Sequence, residues 1–281
     1  MNQENKNAEY DVVIAEHYRK VAEEEGLSEN STMADNITRT TETVAITKFV
    51  EACLKRRADN GDTAPVKIMD VGCGNGYTLE VLSKEFPGHE FVGVEKTDEL
   101  RELAVSRFET ESSVHVIPGD LRDEDFAKGH KADILICQRV LINLLDPNDQ
   151  NSALGNVINT VDSEQGSLLF VECFESSLTR LNTARQEFDL DKISPAYHNL
   201  YLADDFFDVE SVKAHELKPY GFDISENFLS THFYITRVLH PMMTVGKAVK
   251  RNSEFVNFFS SALKPESGDY APLKLVVLDR C

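Results

Sequence analysis

The chain has 281 residues, with 48 Asp and Glu against 29 Lys and Arg, a formal net charge of −19. Its 41% hydrophobic and 9% aromatic content supports a folded core and excludes wholesale disorder. The negative charge argues against a general nucleic-acid binder or a protein adhering to anionic lipid, since both need clustered Lys and Arg. The five cysteines, Cys53, Cys73, Cys137, Cys173 and Cys281, are odd in number and form no C-x-x-C. They read as reduced thiols of a cytoplasmic protein rather than as a disulfide or zinc framework. No apolar stretch is long enough to span a bilayer, and MNQENKNAEYD lacks the basic and apolar regions of a signal peptide.

In chain order, the polar first ten residues are expected to fray, and residues 11–25 show helical spacing up to Gly26. A polar stretch from Ser28 to Thr32 precedes a second helix from Thr40 to about Arg57, closed by the Asp59-Asn60-Gly61-Asp62 turn. From Val66 the pattern alternates. Strands are predicted at Val66–Val71, Glu90–Val94, Val114–Ile117, Asp133–Cys137 and Ser167–Phe174. Helices are predicted at about 77–86, 98–109 and 149–161, giving an α/β fold with a parallel sheet covered on both faces. Residues 175–215 begin as helix and become irregular. Two more strands are expected at Ile224–Leu239 and Leu273–Leu278, with a helix at Arg251–Leu263 between them. The organisation is an N-terminal helical cap (1–62), a ligand-binding core (63–175), and an insertion with the last strands and helix (176–281).

The chemistry concentrates in Asp70-Val71-Gly72-Cys73-Gly74-Asn75-Gly76, where a strand runs into a glycine loop and then a helix. Such a loop lets a ligand approach backbone, and the amides at the helix start favour an anionic group. A dinucleotide fingerprint would need glycine at position 77, which is Tyr77; a nicotinamide oxidoreductase is therefore disfavoured.

This loop resembles the first motif of the class I S-adenosylmethionine-dependent methyltransferases. The resemblance extends to Glu95, nineteen residues after Gly76, to Gly119-Asp120-Leu121, and to Gln138-Arg139-Val140 after the fourth strand. It implies a Rossmann-like, seven-stranded, mostly parallel sheet with an antiparallel last strand, and S-adenosyl-L-methionine as cofactor. It implies cofactor contacts from Asp70, Gly72, Cys73, Gly74, Glu95 with Lys96, Asp120 with Leu121, and Gln138, Arg139 and Val140. By it, Glu95 accepts hydrogen bonds from the ribose and Asp120 faces the adenine amine. Met33–Glu42, His198–Tyr201 and Pro272–Leu278 are similar to bacterial methyltransferases associated with surface-polysaccharide and other small-molecule modification. That similarity implies that Tyr18 and Arg39 close over the cofactor, Arg39 on its carboxylate. An i,i+3 partnership of Arg39 with Glu42 is the competing assignment.

The function expected from this is methyl transfer to a small-molecule or glycan-linked acceptor at oxygen; a non-catalytic cofactor-binding subunit is the alternative. His198 is the candidate base, with a structural role as the competing reading and His232 and His240 as weaker candidates. Asn143, Glu172 and Tyr201 are candidate acceptor contacts, and Glu172 has pairing with a lysine as its alternative. Cys73 is expected to pack rather than react. No motif demands a metal. The fourth strand lacks the (Asp/Asn)-Pro-Pro-(Tyr/Phe) signature of many amide-nitrogen methylating enzymes. A homodimer through segment 241–264 is left open.

Overall fold

The computed structural model describes residues 3–29, 31, 33–162, 166–218, 220–244 and 252–280. Asn30 and Thr32 of the predicted polar stretch, Arg251 at the start of the predicted C-terminal helix, and the Cys281 thiol lie outside the described residues. The other four cysteines are free and buried.

Two helices come first, α1 (Gln3–Glu25) and α2 (Asn36–Asp59). The α1 helix begins well before residue 11, so the expectation of a frayed start is corrected. Gln, Glu, Lys and Ala in that stretch are all good helix formers, and Tyr10 and Asp11 are tied down by partners described below. Asp35 caps α2, its carboxylate accepting from Thr38 N at 3.1 Å.

The core then alternates β1 (Lys67–Val71), α3 (Tyr77–Glu85), β2 (Glu90–Glu95), α4 (Asp98–Arg107), β3 (Val114–Pro118), β4 (Ile134–Gln138), α5 (Pro147–Thr160) and β5 (Ser167–Cys173). All five predicted core strands are present. Every β5 residue is buried, as expected for a strand covered on both faces. After β5 come α6 (Glu175–Gln186) and an irregular stretch, then β6 (Val212–His215), α7 (Ser230–Tyr234), a π-helical stretch (Ile235–Leu239), α8 (His240–Met243), α9 (Glu254–Ala262) and β7 (Leu273–Arg280).

The sheet order is β3-β2-β1-β4-β5-β7-β6. β1 to β5 pair in parallel, while β7 runs antiparallel to both β5 and β6. The order reverses between β1 and β4, and ligands of open α/β sheets bind outside the carboxyl ends at that point.

The strand expected at Ile224–Leu239 is corrected, because residues 230–239 are helical. The β-branched run supplies a buried helix face instead, with Ile235, Thr236 and Val238 at most 3% exposed. The Thr236 hydroxyl donates to the His232 carbonyl one turn back, at 2.8 Å. The true sixth strand is a four-residue edge whose Lys213 and Ala214 are exposed, so it shows no apolar alternation. No helix among the described residues is long and apolar enough to cross a membrane.

Glu172 organises the turn after β4. Its side chain is 0% exposed, and its carboxylate accepts from Val140 N (2.8 Å), Leu141 N (2.9 Å) and Ile142 N (3.4 Å). Its register partner Lys274 instead pairs with Asp269 at 3.0 Å. The assignments of Glu172 to the acceptor or to a lysine are therefore corrected: it anchors backbone. Glu172→Ala strands three buried N–H groups, each worth about 1–3 kcal/mol. We expect a loss of at least about 3 kcal/mol in a denaturant titration, against a surface control such as Glu51→Ala, which should change little.

Candidate active site

A cleft lies along the carboxyl ends of β1, β2 and β4, with a volume, including its mouth, of about 1050 Å³.

Its floor is the glycine loop. Gly72, Gly74 and Gly76 have φ of 72°, 56° and 80°, the left-handed region that side chains disfavour. A Cβ on Gly72 would lie 2.3 Å from Cγ2 of Val140, which itself lines the cleft. Cys73 also lines it, yet its thiol is buried and desolvation pushes its pKa well up, which suits packing and not nucleophilic attack.

Two carboxylates stand over this loop. Glu95 is 8% exposed, and accepts from Gly74 N at 3.0 Å and Thr97 N at 2.7 Å. It thereby joins the glycine loop to the start of α4. Asp70 is 2% exposed, and burial pushes its carboxyl up to about 7, with Arg39 pulling down and Glu95 pushing up. Burial likewise raises Glu95.

The roof is α1, through Tyr10, Asp11, Ile14 and Tyr18. At one end Asp11 pairs with Lys96 (2.9 Å) and Arg122 (3.0 Å), while Tyr10 donates to Asp149. Asp120 lines this end with Leu121, but its oxygens are engaged by Lys96 at 2.9 Å and Arg122 at 2.6 Å. Its pKa stays below the usual carboxylate range: burial pushes it up, and Arg122 and Lys96 more than reverse that. At the other end Asn143 Nδ2 donates to the Tyr18 hydroxyl (2.6 Å) and to the Arg139 carbonyl (2.9 Å). Asn199 Nδ2 donates to Asn143 Oδ1 at 2.8 Å.

The link between α1 and α2 is fastened to the glycine loop. Asn75 Nδ2 donates to the carbonyls of Gly26 (2.8 Å) and Ser28 (2.9 Å), and Arg107 Nη2 to that of Leu27 (2.7 Å). Arg39 on α2 stacks over the Tyr77 ring at 4.7 Å, donates from Nε to the Glu29 carbonyl, and reaches Gln138 Oε1 at 3.5 Å. It lines the cleft, not the helix surface that pairing with Glu42 would require.

Of the residues singled out from sequence, Tyr18, Arg39, Asp70, Gly72, Cys73, Gly74, Glu95, Lys96, Asp120, Leu121, Gln138, Arg139, Val140 and Asn143 all line this cleft. Three do not. Glu172 lies behind it. Tyr201 packs against the cluster of Leu178, Leu181 and Val238. His198 stacks on His17 with ring centroids 3.8 Å apart, outside the lining. Burial, reinforced by His17, lowers its pKa to about 4, so it is neutral and weakly basic near pH 7. It fastens the second end of α1. His232 is also structural, bonded to Asp35 (2.9 Å) and Ser260 (2.9 Å). Sequence reading missed Tyr10, Asp11 and Ile14; the one available signal was the helical spacing of 11–25.

Residues 68–164 match the family described as "Methyltransferase domain". Among curated proteins, none matches this chain by sequence. Among solved structures, magnesium protoporphyrin IX methyltransferase from Synechocystis PCC 6803, with S-adenosylmethionine bound, superposes with a TM-score of 0.53 at 10% identity, covering 97% of each chain. N-methyltransferase NodS from Bradyrhizobium japonicum WM9, in complex with S-adenosylhomocysteine, superposes at 0.51 and 15% identity, over 71% of this chain and 87% of that one. Residues 68–164 thus carry the match to a methyltransferase domain, and the chain shares its fold with those two methyltransferases. The cofactor of those two structures is S-adenosylmethionine or its demethylated product.

The residues present fit that cofactor. Asp70 is a buried carboxylate suited to a cationic ligand, Glu95 retains lone pairs for ribose hydroxyls, and the amide nitrogen of Gln138 is buried with no partner among the described residues.

Two outcomes follow. Gly72→Ala combines a left-handed φ with a 2.3 Å contact; calorimetry should show cofactor affinity reduced at least about tenfold, consistent with 1.4 kcal/mol or more of strain. The pKa values of Asp70 and Glu172, both about 7, lie above those of ordinary carboxyls. A raised folded pKa favours the protonated native state, so this stability is present at low pH and lost as pH rises through 7. Melting temperatures of the free protein should fall between about pH 5 and 8, less steeply for Asp70→Asn; an equal slope in that variant would contradict the assignment.

Proposed function

We propose that this methyltransferase transfers its methyl group to an oxygen of a small, hydroxylated acceptor, free or glycan-linked. The observation that carries the reading is the chemistry at the β4 end of the cleft. There the lining is Tyr18, Asn143 and Leu144 beside Arg139: uncharged hydrogen-bonding groups, an apolar contact and one cation. Among the described residues lining that end, none is a carboxylate that would hold an ammonium acceptor. The Tyr18 hydroxyl keeps a proton to donate and Asn143 Oδ1 a lone pair to accept with, which together suit a hydroxyl.

S-adenosylmethionine supplies the electrophilic methyl group when bound; the protein's share is to orient the acceptor and exclude water. α1 does the second by roofing the cleft. Asn143 does the first, held between Tyr18, Arg139 and Asn199. Tyr18 keeps its proton: burial raises its pKa to about 12. It therefore acts as a hydrogen-bond donor rather than as a base.

The test is incubation with methyl-labelled S-adenosylmethionine and paired acceptors, hydroxylated sugars and their amino analogues. Label should appear as a methyl ether, and Asn143→Ala should lower kcat/KM by about tenfold, the loss expected for one orienting hydrogen bond. Label entering the amines alone would overturn the oxygen assignment.

A further inference from the structure

Glu42 on α2 is 0% exposed, and neither of its carboxylate oxygens accepts a hydrogen bond among the described residues. A buried carboxylate left in that condition needs a nearby cation. The cation it faces is Arg139, whose Nε lies 3.1 Å from Oε1.

Arg139 is unusual in its own right. Its φ is 56°, in a region that a residue with a side chain seldom adopts. Such a conformation persists where the surroundings over-determine it, and it concentrates at functional sites. Here its N–H donates to the Val171 carbonyl at 2.8 Å, its carbonyl accepts from Asn143 at 2.9 Å, and the next three amides are fixed on Glu172. Backbone and side chain are thus held from β5 and from α2 respectively. The side chain so held lines the cleft beside Gln138, whose amide nitrogen is buried without a partner among the described residues and whose carbonyl oxygen meets Arg39. Burial first and the charge of Arg139 second lower the pKa of Arg39. Two guanidiniums side by side are tolerated where anions stand close to both.

We propose that Glu42 is a positioning residue, holding Arg139 so that Arg139, Gln138 and Arg39 together form the cradle for the amino-acid carboxylate of the cofactor. This rests on the reading of the cleft as an S-adenosylmethionine site. A carboxylate meeting two guanidiniums and an amide gains charge-assisted hydrogen bonds that a nucleoside lacking the amino-acid arm does not make.

The comparison that tests it is calorimetric binding of S-adenosylhomocysteine and of 5′-methylthioadenosine, which lacks that arm, to the full chain. Glu42→Gln should weaken S-adenosylhomocysteine at least about tenfold, the equivalent of one charge-assisted hydrogen bond, and change methylthioadenosine less than about twofold. Arg139→Gln should give the same pattern, and the double variant should lose less than the product of the two single losses. If Glu42→Gln does not melt cooperatively, Glu42→Asp, which keeps the charge but withdraws it from Arg139, carries the comparison with the same expected pattern. Equal weakening of both ligands, or unchanged S-adenosylhomocysteine affinity, overturns the proposal. Binding of neither ligand by the unsubstituted chain would show instead that the cofactor reading has failed, and the proposal with it.

Discussion

Burying a carboxylate is unfavourable unless something answers its charge, and this fold buries four around one cleft. Asp70, Glu95 and Glu172 sit at or near the carboxyl ends of β1, β2 and β5, and Glu42 faces them from α2. Each is answered differently. Three backbone amides satisfy Glu172, two satisfy Glu95, and a guanidinium balances Glu42. Burial raises the carboxyl of Asp70 to about 7, with Arg39 pulling the other way, and burial raises that of Glu172 as far. The first three carboxylates are thereby held in place, and the fourth lines the cleft.

The same economy explains the roof. α1 is a polar helix with little apolar surface to bury, so its placement depends on specific partners at both ends. Asp11 and Tyr10 meet Lys96, Arg122 and Asp149 at one end; His17 and Tyr18 meet His198 and Asn143 at the other. Asn75, inside the glycine loop, holds the connection to α2. Cap and core are thereby one unit, and the loop that shapes the cleft floor also secures its cover.

Where local pattern and tertiary role agree, the sequence is readable. β1 to β5 are short β-rich runs between helical stretches, and the Asp70–Gly76 loop carries its chemistry in its glycine spacing. The failures have physical causes. Residues 230–239 are β-branched because they pack as a buried helix face, and β6 is an exposed edge without alternation. His198 lies in the segment over the strand ends, as expected, but its ring stacks on His17, from a helix at the other end of the sequence. Glu172 was singled out as an acceptor contact, yet its partners are backbone amides that no residue pattern announces. Glu42 entered the sequence reading as a neighbour of Arg39; only the fold brings it to Arg139.

If Asp70 awaits a cationic ligand, binding must release its proton. Calorimetry of S-adenosylmethionine near pH 7, in buffers of different ionisation enthalpy, measures that directly. Proton release of a substantial fraction per site is expected, greater for the sulfonium than for S-adenosylhomocysteine, whose sulfur carries no charge, and lost in Asp70→Asn. Binding heats independent of the buffer, with Asp70 intact, would contradict the account.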